Sequence, residues 1–157
     1  MAASCRIALA ACLTSFFAFA LTCAIGPAGA AEKAAPACGA ISFRPLASGM
    51  SDGEQDAGLY KSRFVKIEIK ATVKSGEPQE YHMVLNGKTP TPLSGPLPKS
   101  VDGCLRSKHV VVPVKQMQGA CIGTRFRVVT HHEGKDRLAM FFGLRGSEWH
   151  LCSAAAF

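Results

Sequence analysis

Three features of this 157-residue chain predict an all-β domain. Apolar and polar residues alternate with period two in several runs, turn dipeptides separate those runs, and four cysteines remain once an N-terminal leader is set aside. The expected architecture is a small antiparallel sandwich or barrel of about six or seven strands with one short helix, stapled by two disulfides.

Residues 1–30 read as a signal peptide. Arg6 is followed by an uncharged Ala-, Leu- and Phe-rich run from Ile7 to Ala31, interrupted by Gly26-Pro27 and by the small residues Ala28-Gly29-Ala30. The uncharged run is long enough for an anchor, but the Gly-Pro break and the small-residue site favour cleavage. Lipid attachment at Cys23 is disfavoured because Thr22 is a poor residue before a lipidated cysteine. Residues 31–38 then form a short mobile leader, and 39–157 a single β-rich domain. With no transmembrane segment left after cleavage, the expected location is periplasmic or secreted. An Ala-rich signal, and a sole asparagine, Asn86, that lies in no glycosylation sequon, suggest a bacterial source.

Cleavage removes Cys5, Cys12 and Cys23 from a total of seven, leaving Cys38, Cys104, Cys121 and Cys152. An even number in an exported chain implies two disulfides and allows three pairings. The preferred pairing is Cys104–Cys121, a short loop, with Cys38–Cys152 tying the ends together. Spacing does not decide between the three.

Along the domain, residues 40–46 are a modest strand candidate. Ser51-Asp52-Gly53-Glu54 has the form of a capping box and, with Asp56, predicts a short helix near 52–60. Val65, Ile67, Ile69, Ala71 and Val73 alternate with Lys66, Glu68, Lys70, Thr72 and Lys74, a strand with one buried and one wet face. Ser75-Gly76 turns the chain, Tyr81, Met83 and Leu85 continue the alternation, and Asn86-Gly87 ends it. Residues 88–102 hold four prolines and read as a stiff surface loop of the kind that carries recognition. Residues 110–114 are an edge-strand candidate because Pro113 donates no ladder hydrogen bond. Residues 124–131, 137–144 and 148–154 predict a three-strand meander. Leu138, Met140, Phe142 and Leu144 form its heavy face, packed with Phe126 and Val128 and joined by Trp149 and Leu151.

Several short patterns bear on chemistry. Gly49-Met50-Ser51-Asp52-Gly53 matches a nucleophile elbow, so a hydrolase using Ser51 is one expectation. A chain patterned in hairpins has no room for the large parallel sheet on which such a serine is displayed, and a capping role explains Ser51 better. Asp52, Glu54 and Asp56 alternate as calcium ligands do, without the glycine and glutamate that complete such a loop. His131, His132 and His150, with Cys152 and Met140, supply soft-metal ligand types, so a copper- or zinc-handling protein is the alternative reading. The absence of a C-x-x-C or H-x-x-x-H pair, and the need for Cys152 in the disulfide count, argue against it.

Charge gives the leading expectation. The whole chain carries +7, and losing Arg6 with the leader leaves +6. Lys66, Lys70 and Lys74 project from one wet strand face, Arg125 and Arg127 from another, and Arg137 opens the adjoining hairpin strand. If those strands share a sheet, the six residues form a basic binding panel. The expected function is a non-enzymatic binding or accessory module, with no cofactor. Its partner would be an anionic protein, a lipid headgroup or an acidic polysaccharide of the cell envelope. No aromatic residues interleave the lysines, which argues against nucleic acid.

Overall fold

The computed structural model describes residues 37–157 except Gln118. The segment read as a signal peptide lies outside the described residues. Ala37 and Cys38, assigned above to a mobile leader, instead open the first strand, because both pair in register with a partner strand across Ala37↔His132 and Cys38↔His131.

Among the described residues eight strands form two sheets. In one, β2 (Gly53–Lys61), β3 (Lys66–Lys74) and β4 (Glu77–Leu85) make an antiparallel meander with β3 in the centre. In the other, β1 (Ala37–Phe43), β6 (Arg125–Glu133), β7 (Asp136–Arg145), β8 (Glu148–Ala156) and the two-residue β5 (Lys115–Gln116) lie in the order β1-β6-β7-β8-β5. All neighbours are antiparallel except β5, which runs parallel to β8. The all-β expectation, with one short α-helix and two disulfides, holds among the described residues.

The period-two run of β3 folds as its pattern dictates. Ile67, Ile69, Ala71 and Val73 are buried and the intervening residues face outward. The Ser75-Gly76 loop has positive φ at both residues, which suits the right-handed twist of the flanking strands. The Asp52 carboxylate accepts a 2.9 Å hydrogen bond from the Gly76 N–H. Asn86 closes the other end, its side chain accepting from the Lys66 N–H at 2.9 Å.

The segment expected to be helical near 52–60 is strand β2. Its acidic residues find better partners across the sheet than at a helix terminus: Asp52 holds the β3–β4 turn, Asp56 meets Lys70, and Glu54 lies 3.3 Å from His82. The helix is instead α1 (Asp102–Ser107), entered through a 3-10 turn at Lys99–Val101. Val101, Cys104 and Leu105 are its buried face, an i, i+3, i+4 pattern. The edge strand expected at 110–114 does not form there. Pro113 brings no N–H, and pairing with β8 begins only at Lys115.

The five-stranded sheet is covered on both sides. Phe126, Val128, Ala139 and Phe141 face Ile67, Ile69, Tyr81 and Met83 of the smaller sheet. On the opposite side Val129, Met140, Phe142, Trp149 and Leu151 lie under Val101, Leu105 and Val110. The grouping of Phe126 and Val128 with the Leu138–Met140–Phe142 face is therefore corrected: Val129 is the β6 residue on that side. This double cover explains why four consecutive β6 residues, 128–131, are buried.

At one edge β1 meets β2 through glycines. A Cβ on Gly58 would lie 2.1 Å from the Phe43 ring, and one on Gly39 2.9 Å from the Tyr60 hydroxyl.

The disulfides are Cys38–Cys104 and Cys121–Cys152, not the preferred pairing. Strand order supplies the reason. Cys38 on β1 and Cys152 on β8 are three strand spacings apart, about 14 Å, whereas a disulfide needs Cα atoms within roughly 7 Å. Cys38–Cys104 fastens α1 to β1, and Cys121–Cys152 fastens the approach to β6 onto β8. With sequence separations of 66 and 31 residues, each is worth about 4 kcal/mol in the chain-entropy account. Two such bonds place the domain in an oxidising compartment.

Candidate functional site

The six basic residues expected to form one panel divide between two sheets. Lys66, Lys70 and Lys74 lie on β3, while Arg125, Arg127 and Arg137 belong to β6 and β7. The single panel is corrected on that ground: the two groups never share a sheet.

On β3 the lysines are interleaved with acid. Lys66 lies 2.9 Å from Glu68, Lys70 is bonded to Asp56, and Lys74 stands opposite Glu77. The hydrogen bond that the Lys70 ammonium donates to Asp56 raises it above its ordinary range, aided by the nearby Glu68 and Glu54 charges. Alternation has placed acid and base on the same wet face, and they answer each other there.

The β6 arginines differ from one another. Arg125 is exposed. Arg127 lies with its guanidinium 4.8 Å from the Trp149 ring centroid, donates to Ser42 Oγ at 3.1 Å and donates to the Lys108 carbonyl. Burial, and then the neighbouring Arg125 charge, hold it below the usual arginine range. These contacts make Arg127 a clamp on the turn after α1.

Arg137 enters a different cluster. Its guanidinium lies 4.7 Å from the centroid of Phe64, and that of Arg63 lies 5.6 Å from the same ring. His132 meets Phe64 edge-on at 5.4 Å. Phe64 is 46% exposed and Arg63 is exposed beside it, while Arg137 is half-buried. Ser62 shapes the loop that presents them: its Oγ accepts from the Phe64 and Val65 N–H groups at 3.2 and 3.1 Å. A cleft of about 310 Å³ adjoins the cluster, with Tyr60, Ser62, Thr130 and His132 in its wall. Among the described residues neither Arg63 nor Arg137 forms an ion pair with a carboxylate.

Sequence reasoning found Arg137 and missed Arg63 and Phe64. A signal was present: Val65, Ile67 and Ile69 set the buried phase, and Phe64 falls in the wet phase beside Lys66. An aromatic ring in that phase is the anomaly that marks the site.

The metal reading is not assembled. His131 and His132 are strand neighbours and point to opposite faces. His132 Nε2 lies 3.0 Å from the Gly134 carbonyl oxygen, and His150 neighbours Glu148 at 4.0 Å. Cys152 is spent in a disulfide, and Met140 is buried beneath the helical layer. Among the described residues no three His, Cys, Asp or Glu side chains converge on a common point.

Ser51 is exposed in the loop before β2, and among the described residues its hydroxyl is hydrogen-bonded to no base. Its carbonyl accepts a 3.1 Å bond from Gln55 Nε2. Asp52, next to it, is committed to the Ser75-Gly76 backbone, and those N–H groups hold its carboxyl below the usual carboxylate range.

Two further clefts, of about 340 and 520 Å³, share Pro96, Leu97 and Val114 of the proline-rich loop and its surroundings. No protein-family model, curated protein or solved structure matches this chain.

Proposed function

We propose that the chain is an exported, non-enzymatic binding module that engages an anionic partner in the periplasm or outside the cell. The Arg63–Phe64–Arg137 cluster is its contact surface. The observation that carries this reading is the pair of guanidiniums set against one exposed ring, with no carboxylate paired to either among the described residues. A guanidinium held on an aromatic face keeps its N–H edge free for phosphate, sulfate or carboxylate, and loses less freedom on binding than an unsupported one. The net charge of +6 left after leader removal supplies the long-range attraction.

Chromatography on immobilised dextran sulfate tests this. The domain should be retained at low ionic strength and released as salt is raised. The double variant R63E/R137E should elute far earlier. Equal elution of variant and parent, with both folded by circular dichroism, would refute the assignment. Parallel runs with polyglutamate and with anionic vesicles separate acidic polysaccharide, acidic protein and lipid headgroup as the partner class.

A further inference from the structure

Strand pairing gives the Cys38–Cys104 bridge a neighbour that the binding role does not use. Cys38 on β1 stands directly opposite His131 on β6, so the two side chains leave the same face of the sheet. Cys104 Sγ lies 3.7 Å from the carbonyl oxygen of Thr130, the residue before His131. Cys38, Cys104 and His131 line one cleft of about 240 Å³, completed by Ser100, Gly103 and Ser107.

His131 is the group that needs explaining. Its side chain is 3% exposed, and among the described residues neither ring nitrogen has a hydrogen-bond partner. A buried polar group left unpaired is costly, and native structures rarely keep one without a use. Glu133 sets a carboxylate oxygen 3.7 Å from Nε2. β1 has no charged side chain, and the 3-10 turn and α1 bring none to this cleft. Lys135 borders an adjoining cleft that His131 also lines, as does Arg137, whose guanidinium lies over Phe64. A sulfur beside an imidazole that has a carboxylate behind it is the arrangement of an activated thiol. The Cys121–Cys152 bridge lies instead in the core between the two sheets.

We infer that Cys38–Cys104 is a redox-active bridge that exchanges with a dithiol, and that His131 carries the proton. Attack falls on Cys38, which is half-buried where Cys104 is 6% exposed. A thiolate of the dithiol bonds to Cys38 Sγ. The Cys38–Cys104 bond breaks with its electron pair on Cys104 Sγ, which takes a proton from water. The second thiol gives its proton to the His131 imidazole and attacks the sulfur of the first, expelling Cys38 as a thiolate beside the imidazolium. Two electrons pass to the protein, and the dithiol leaves as a disulfide. An adjacent imidazolium stabilises a thiolate, and a thiolate so held leaves faster.

Dithiothreitol is the probe, added to the oxidised chain under native conditions, with the opened cysteines alkylated and mapped by mass spectrometry over time. Cys38–Cys104 should open about tenfold or more faster than Cys121–Cys152. With that bridge alone reduced, alkylation of Cys38 by iodoacetamide should show a pH midpoint at least about one unit below the roughly 8.5 of a free cysteine. His131→Asn, with its fold checked by circular dichroism, should return the midpoint to the free-cysteine value. In the parent, the His131 ring resonances should move on reduction and respond at the Cys38 midpoint, which decides the matter even if the variant does not fold. Cys121–Cys152 opening first or at the same rate, a Cys38 midpoint at the free-cysteine value, a folded His131→Asn that keeps the lowered midpoint, or ring resonances unmoved by reduction would each overturn the proposal.

Discussion

On the outer face of β3, Lys66, Lys70 and Lys74 stand among Glu68, Asp56 and Glu77; beside the β2–β3 loop, Arg63 and Arg137 stand against Phe64. The first group has more cations and lies along one strand. Lys66 and Lys70 are nevertheless matched within the sheet, so an incoming anion must displace a carboxylate before it meets either of them. The second group is smaller, but an aromatic ring has taken the place of the acidic partner. It orients the guanidiniums without neutralising them. Available charge is therefore set by what a cation leans on, and counting lysines along a strand misses this.

Four experiments bear on that contrast. The largest effect belongs to R63E/R137E. Reversing two charges should weaken binding to dextran sulfate by about a hundredfold at low ionic strength, roughly tenfold per contact, read as a shift in half-saturation concentration. Phe64→Ala is next. Each guanidinium loses a cation–π support worth about 0.5–1 kcal/mol at an exposed site, so binding should fall several-fold while the fold persists. The double variant K66Q/K70Q should cost less than either, because it removes charges that are already partnered; a loss as large as that of R63E/R137E would erase the distinction between the two surfaces.

Acid gives the opposite test, since it removes the partners rather than the cations. Lowering the pH below about 4 protonates surface carboxylates while dextran sulfate keeps its charge. The R63E/R137E protein should then regain retention through the β3 lysines. The same titration reaches Asp52. Its folded-state pKa lies below the ordinary 3.8, so its contribution to stability is present above the unfolded value and is lost as pH falls through the folded one. Urea midpoints of Asp52→Asn and the parent should differ at neutral pH and converge in acid. A gap that persists at pH 2 would assign Asp52 a role other than its charge.

Much of the fold was legible in the sequence because strands announce themselves locally. The β3–β4 hairpin and the β6–β7–β8 meander follow from alternation and from turns at Ser75-Gly76, Gly134-Lys135 and Gly146-Ser147. The errors arise where the deciding interaction is remote. Acidic residues at 52–56 resemble a helix start until the β3–β4 hairpin supplies the Gly76 N–H, His82 and Lys70 as their partners. Residues 128–131 resist assignment to one face because a helical layer covers the side that alternation would leave wet. The helix itself was hidden by the prolines before it, although Val101, Cys104 and Leu105 spell its buried face. The candidate site was half legible for the same reason. Arg137 is visible as a charge, but its value depends on Phe64, more than seventy residues earlier in the chain.

The disulfide pattern has a consequence for how the domain is made. The bridges are consecutive: Cys38 joins the next cysteine of the domain, Cys104, and Cys121 joins Cys152. For these four cysteines, a chain that enters an oxidising space N-terminus first offers Cys38 its native partner before any competitor arrives. Once that bond is closed, the last two cysteines have only each other. A thiol oxidase acting on the emerging domain therefore reaches the native connectivity without reshuffling, whereas an end-to-end bridge from Cys38 to Cys152 would require Cys38 to pass two earlier opportunities.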